Sequence, residues 1–321
     1  MDNDALESTA RRPTMQVAAV VVHYGDPART IRAVLSHHSL GVFSDMIVVA
    51  NDLSPRPDEL LNIPCTWLVP ARNVGFGSAC QMAAMSCSAD IYAFFNAHVT
   101  IGKSAVEHCL AAFEISDVGI AAPYFYYPAH RTEFQNWQYT YCTRAYSRIL
   151  RVPVNIPPRP TRVTRVASEV TLVDTEWALG AGIFCRREVV TDIGWDGSYF
   201  LGHEDIDICL RAKKGGWRVV VASPAVAFHT GESTRTTCVS KYYDARNSLW
   251  FARKHHYRGV RTLRTAYILL LLCRMAAADV LKKRHPRHAS ATMRGLLDGW
   301  RLRPTNTNAL PGEPLWSARS Q

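Results

Sequence analysis

Short, uninterrupted apolar runs recur at regular intervals through the first part of this 321-residue chain: 16–22 (QVAAVVV), 45–50 (DMIVVA), 65–69, 91–95 and 118–122. A strand with one wet face alternates apolar and polar residues, whereas these runs do not alternate, so they read as strands buried on both faces. Stretches of helical character with short links join them. Strand, helix, strand in that rhythm yields an α/β fold whose central sheet is mostly parallel, with helices on its faces. Ligands of such a sheet bind beyond the carboxyl ends of the strands. Those ends are 23–26, 51–54, 72–77 and 96–98, and they are polar, glycine-bearing and basic, as a nucleotide diphosphate requires.

A second stretch, 194–233, concentrates reactive side chains. A turn and the aromatic segment Tyr199-Phe200-Leu201 deliver Gly202-His203-Glu204-Asp205, where a helix begins. Ile206, Cys209 and Leu210 recur at helical spacing, Gly215-Gly216 ends the helix, and 217–222 is a strand leading toward His229. Taken singly, these residues have plain explanations. Asp207 and Arg211, four apart, read as an exposed ion pair. Glu204 or Asp205 suits the positive end of a helix, and His229 suits an interior. Together they put carboxylates at a helix start and a histidine at a strand exit, where α/β enzymes keep their chemistry.

The order of these motifs resembles that of family 2 glycosyltransferases, inverting enzymes that use nucleotide-sugars. The matching residues are Gly194-Trp195-Asp196, Tyr199-Phe200, Glu204-Asp205-Ile206-Asp207-Ile208-Cys209-Leu210-Arg211, Gly216-Trp217 and His229-Thr230-Gly231-Glu232-Ser233. In the first half the matches are Tyr24, Asn51-Asp52-Leu53-Ser54, Asn73-Val74-Gly75 and Asn96-Ala97-His98, so the resemblance runs over 16–254. It implies a Rossmann-like, A-type glycosyltransferase fold with a C-terminal helical extension. It also implies a nucleotide-diphosphate sugar as donor and a hydroxyl-bearing acceptor. Asp205 is then the general base, and Glu204 supports it or binds the acceptor. Asp52 holds the base or ribose, Tyr24 packs near the base, and Arg72 or Asn73 lies near the sugar nucleotide. Gly75, Asn96 and Gly182 complete the donor side, the small residues of Gly180-Ala181-Gly182 letting backbone lie close to the sugar. His203, Trp177 and Arg246 fall to the acceptor. Tyr242-Tyr243-x-x-Arg246-Asn247 resembles rhamnosyltransferase-like members that build polysaccharide, which suggests a dTDP-rhamnose donor.

The chain departs from the family pattern at three places. Gly25 and Gln81 stand where asparagine is usual, and His98 stands where a carboxylate normally meets the divalent cation, magnesium or manganese, on the diphosphate. His98 and His229 are then the metal candidates, and imidazole suits magnesium poorly. Protonated, His98 could instead meet the phosphate directly. The same departure leaves open a catalytically silent homologue that only binds nucleotide-sugar.

Net charge is +10 and the isoelectric point about 9.3, which calls for an anionic partner. A sugar diphosphate and acidic lipid both qualify; nucleic acid is set aside because no recognised binding module is present. Nine cysteines, an odd number with no Cys-x-x-Cys pair, together with the lack of a secretory signal predict reduced core thiols in a cytoplasmic protein, or one peripheral at the inner membrane face. The predicted organisation is a disordered tail at 1–14, a catalytic domain at 15–257 with a nucleotide-sugar half to 123 and a catalytic half from 124, a helical extension at 258–300, and a tail to 321. Within it, 124–171 is an irregular insert of aromatics, arginines and prolines that packs or shapes the acceptor pocket. The helix within 259–287 has an apolar centre and basic flanks. It suits packing on the catalytic domain or resting on an anionic membrane face.

Overall fold

A computed structural model of the chain describes residues 15–126, 162–229, 237–256, 259–281 and 287–301. The terminal tails, residues 127–161 of the aromatic insert, Gly231-Glu232-Ser233, Arg258 and the basic residues Lys282, Lys283 and Arg284 lie outside the described residues.

The apolar runs form the strands expected of them. β1 (Val17–His23), β2 (Asp45–Ala50), β3 (Thr66–Leu68) and β4 (Ile91–Asn96) lie parallel in the spatial order β3-β2-β1-β4. β1 is buried along its whole length, which is why its sequence carries no alternation. Helix α1 (Pro27–Ser39) starts with Asp26 accepting from Ala28 N and Pro27 in the first turn, and α2 (Phe76–Met85) starts after Gly75.

The sheet then becomes mixed. β5 (Val99–Ile101) follows β4 through a tight turn, and α3 (Lys103–Ala111) leads to β6 (Val118–Tyr126). β7 (Val163–Arg165), β8 (Thr171–Asp174), β9 (Gly182–Arg186) and β10 (Arg218–His229) complete a ten-stranded sheet. β9 is antiparallel to both β4 and β6, between which it sits, and β6 is parallel to β10. Following the pairings, β5, β8 and β9 run against the other seven strands. The sheet is thus mostly one-directional, with the reversed β9 at its centre. Two apolar clusters, one on each face, hold the sheet to its helices.

Helix α4 (Glu204–Lys214) precedes β10, and α5 (Cys238–Lys254), α6 (Val260–Leu281) and α7 (Arg287–Arg301) follow it. α5 is buried on most of its circumference, between the loop before α4 on one side and α6 and α7 on the other. Gly295 and Gly299 let α7 approach α5 closely: a Cβ at Gly299 would lie 3.0 Å from the Arg246 carbonyl oxygen, and one at Gly295 would clash with the Tyr242 carbonyl. Among the described cysteines, Cys80, Cys109, Cys185 and Cys209 are buried and in no disulfide, and burial raises the thiol pKa of Cys80 and Cys185.

Candidate active site

The carboxyl ends of β1, β2 and β4, the entry to β9 and the start of α4 meet along one edge of the sheet. At the β1–β2 end, Asp52 accepts from Gly25 N at 2.9 Å and from the Ser54 hydroxyl at 2.7 Å, and His23 Nε2 lies 3.2 Å from its carboxylate. Partial burial alone would raise the carboxyl pKa, but the hydrogen bonds from Ser54 and Gly25 outweigh it, so Asp52 stays ionised. Burial lowers the pKa of His23, with Asp52 pulling the other way. Tyr24, 65% exposed beside this carboxylate, offers an open ring face to a base. Asn51 accepts from Val74 N at 2.9 Å and ties this loop to the next one, where Asn73 accepts from Gly75 N at 3.0 Å and Arg72 lies half-buried.

At the end of β4 the turn through Ala97 folds the chain back, with Asn96 Oδ1 accepting from His98 N at 3.1 Å. The turn delivers β5 onto β10, Val99 pairing with His229. His98 and His229 therefore meet, ring centroids 6.0 Å apart, and Asn96 Nδ2 donates to His229 Nε2 at 3.3 Å. Arg29, from the first turn of α1, reaches His98 Nδ1 at 3.4 Å. Burial and then this guanidinium lower the His98 pKa. Arg29, His98 and His229 thus gather into a basic locus at the end of β4.

The chemistry end adjoins it. Asn96 N donates to the Ala181 carbonyl at 3.1 Å, and Gly180 N donates to Asp205 Oδ2 at 3.1 Å. A Cβ at Gly180 would lie 3.0 Å from Asp205 Cβ, so a side chain there would push the carboxylate away. The close approach read from Gly180-Ala181-Gly182 thus belongs to Gly180. Gly182 answers to packing instead, because a Cβ on it would meet the Phe125 ring at 2.9 Å. Asp205 is half-buried at the edge of the site, whereas Glu204 is buried, 6% exposed, and turned toward α2 next to Gly77 and Cys80. Burial, reinforced by Asp205, raises the Glu204 pKa strongly. Adjacent in sequence, the two carboxylates occupy different environments.

Three expectations are corrected by burial. Asp207 is not an exposed partner of Arg211: it is fully buried, bonded to Arg211 Nε at 2.7 Å, Lys254 Nζ at 2.8 Å and His255 Nε2 at 2.9 Å. These partners overcome burial and hold its carboxyl well below the usual range. Arg246 does not face an acceptor. It donates to the carbonyls of Ser198 and Tyr199 at 2.9 and 2.8 Å and stacks its guanidinium 4.0 Å over the Trp250 ring. Trp177 lies in the core, 3% exposed, among the apolar residues of one sheet face.

Asn247, the last residue of the Tyr-Tyr-x-x-Arg-Asn segment, has a role that no local sequence pattern signals. Its amide donates to the carbonyls of Tyr199, Leu201 and Gly202 at 2.8 to 2.9 Å. With Arg246 it straps residues 198–202, a segment in which Phe200 sits at φ +62 just ahead of His203 at φ +76. Both non-glycine residues are in the left-handed region, a strained geometry that persists only where the surroundings impose it. The Phe200 ring stacks on Tyr243 at 4.9 Å, its carbonyl accepts from Phe76 N at 2.9 Å, and Gly75 passes so close that any Cβ would collide with the Phe200 backbone. His203, at the N-cap of α4, packs its ring between Tyr199 and Phe251.

Residues 162–262 match the family model described as glycosyltransferase like family 2. No curated protein matches the sequence. Among solved structures, the crystal structure of GalNAc-T7 with UDP, GalNAc and Mn2+ superposes with a TM-score of 0.54 at 12% identity, covering 77% of this chain. The chain spans about half, 51%, of that protein's length. The mannosyltransferase PcManGT from Pyrobaculum calidifontis, in complex with GDP-Man and Mn2+, superposes at 0.53 with 10% identity, covering 89% of this chain and 87% of its own. The fold is therefore that of the A-type glycosyltransferases. The family match over 162–262 supports a glycosyltransferase of the family 2 type.

Proposed function

We propose that the protein transfers a sugar from a nucleotide-diphosphate donor to an acceptor hydroxyl with inversion at the anomeric carbon. The observation that carries this reading is the continuous run of contacts from Asp205 through Gly180 and Ala181 to Asn96, His98 and His229. It sets an oriented carboxylate beside a basic locus at the carboxyl edge of the sheet. Asp52 and Tyr24 hold the nucleoside at the far end of that edge. Arg29 and Arg72 face the diphosphate. Asp205, its orientation fixed by Gly180 N, takes the acceptor's proton as the hydroxyl oxygen attacks and the bond to the diphosphate oxygen breaks. With Asp205 as the base and the acceptor oxygen as the nucleophile, transfer is a single in-line displacement, which inverts the anomeric carbon.

A divalent cation is part of this reading, as both solved relatives above contain Mn2+. Among the described residues no group of three or more His, Cys, Asp or Glu side chains is placed to hold an ion. His98 and His229, ring centroids 6.0 Å apart, are the residues that would hold it, and imidazoles together with oxygens of the sugar donor suit an ion of manganese type better than magnesium. Such an ion, once bound, neutralises charge on the leaving diphosphate.

L-rhamnose as the sugar, and polysaccharide as the product, rest on the resemblance of the Tyr-Tyr-x-x-Arg-Asn segment; Arg246 and Asn247 hold the strained loop rather than a ligand. The test is binding across a panel of nucleotide-sugars, followed by NMR of the product's anomeric proton. Saturable binding of one donor and an inverted product support the reading. Binding without transfer to any acceptor identifies a silent homologue, and retention of configuration overturns the mechanism.

A further inference from the structure

The two C-terminal helices show a pattern that sugar transfer does not use. On α6, Ile268 and Leu272 are buried in a cluster with Ala245, Leu249 and Leu296. On the opposite side Leu263, Tyr267 and Leu270 fall at i, i+4 and i+7, and they are 55%, 48% and 60% exposed. On α7, Ala291, Gly295, Leu296 and Gly299 are buried, while Met293, Leu297 and Trp300 repeat the same spacing exposed. Trp300 packs back on α6, its ring under Arg261 and its indole N–H donating to Thr265, which leaves Met293 and Leu297 facing outward on α7. Single exposed apolar residues are ordinary; exposed stripes on two adjacent helices are not. Between them runs a groove of about 620 Å³ lined by Leu272, Met293, Leu297, Arg294 and Arg301 among others.

Charge identifies the occupant. The two helices hold Arg261, Arg264, Arg274, Arg287, Arg294 and Arg301 against only Asp279 and Asp298, and the sequence joining them reads Lys282-Lys283-Arg284-His285-Pro286. Arg274 continues the α6 stripe at i+11 and is exposed, as are Arg287, Arg294 and Arg301. A second copy of the chain would set one arginine-rich face against another, which like charge opposes. An anionic bilayer surface accepts both features, apolar side chains entering the headgroup boundary and arginines meeting lipid phosphate. No described helix is long and apolar enough to cross a membrane, so contact through α6 would run along the surface.

We propose that α6 and α7 dock the protein onto an anionic membrane surface through Leu263, Tyr267, Leu270, Met293 and Leu297 with their flanking arginines. The test is flotation of the full chain with vesicles of phosphatidylcholine alone or with phosphatidylglycerol, at low and high salt. The expected result is binding to the anionic vesicles only, weakened by salt. It should weaken by about tenfold or more in the variant Leu263→Gln/Tyr267→Gln/Leu270→Gln and again in Arg274→Gln/Arg294→Gln. Since these side chains are exposed, the variants keep the wild-type unfolding midpoint, which is measured alongside. Failure to float with anionic vesicles, equal flotation with neutral ones, or indifference to the triple substitution overturns the proposal. So does a wild-type dimer in light scattering that the triple substitution splits, which would assign the face to a second copy.

Discussion

Asp205 and Glu204 are neighbours with opposite surroundings, and that difference decides which can act as a base. A base must be ionised and reach the acceptor. Asp205 stands at the edge with a backbone N–H on its carboxylate, whereas Glu204 is buried and driven toward its protonated form. Asp205→Asn is therefore expected to lower kcat by about 10²–10⁴-fold with donor affinity unchanged, while Glu204→Gln keeps transfer within about tenfold of wild type. Single-turnover transfer and calorimetric donor binding check both; a near-wild-type rate for Asp205→Asn removes it as the base. At the other end, Asp52→Ala should raise KM for the donor and spare kcat, since the proposed function sets it against the nucleoside, remote from the reacting carbon. A collapsed kcat at unchanged KM would mean the loop is not the nucleoside site. For the metal, manganese or cobalt should support more activity than magnesium, and His98→Asp should shift the preference toward magnesium. Activity across ions and with chelator reads this out, and full magnesium dependence indifferent to His98→Ala refutes it. The residue types at these positions were legible in the sequence because each sits at a strand end or helix start. Their burial was not. Nothing in the local pattern says that α4 is covered on two sides, so Asp207 reads as a surface ion pair and Glu204 as a support of Asp205 or an acceptor contact.

Between elements, the notable device is the contact of α5 with the loop before α4. Two of its side chains, Arg246 and Asn247, satisfy the carbonyls of four successive loop residues other than Phe200, namely Ser198, Tyr199, Leu201 and Gly202. Phe200 itself is held by Phe76 N and by Tyr243. That loop carries the left-handed Phe200 and His203 into the first turn of α4, so the strap fixes where Asp205 stands. Asn247→Ala leaves buried carbonyls without a donor, each worth about 1–3 kcal/mol. The expected outcome is a stability loss of that order together with a fall in kcat, and donor KM little changed because Asp52 and Tyr24 belong to another pair of strands. Denaturant unfolding and steady-state kinetics separate the two effects; an increase in KM alone would show that α5 contacts the donor. Elements with long apolar runs were readable from sequence, as β1, β2 and β4 show. β9 was not, since five residues opened by a glycine lack a period of their own and are made a strand by the gap between β4 and β6. Nor was the strap, because its partners lie 45 to 48 residues away and no local spacing reports them.

For the whole molecule, a buried titratable group outside the site ties stability to pH. His37, on α1, is fully buried behind β4, its ring stacked 4.4 Å from that of Phe95. Neither ring nitrogen has a hydrogen-bond partner among the described residues. Burial lowers its pKa to about 4, against 6.5 in a free chain. The sign follows from proton binding. Between these two values the unfolded chain holds a proton that the folded one excludes, so stability is complete above the unfolded value and drains away as pH falls toward the folded one. A shift of that size corresponds to about 3 kcal/mol. His255 shifts in the same direction, whereas the contribution of Asp207 is complete above the ordinary carboxylate range and drains as pH falls through that range and below it. Glu204 has the opposite sign: its raised pKa means that the fold retains a proton the unfolded chain releases, which costs stability as pH rises. The contribution of His37 is isolated by substitution. His37→Leu, close in volume and without a charge to exclude, should unfold at a denaturant midpoint that falls less than that of wild type between pH 6.5 and 4, the two curves converging or crossing as pH drops. Midpoints measured on both proteins at half-unit steps through this window decide it. Parallel curves would mean that the histidine titrates alike in the folded and unfolded chain, and that the packing of α1 against Phe95 opens enough to admit water.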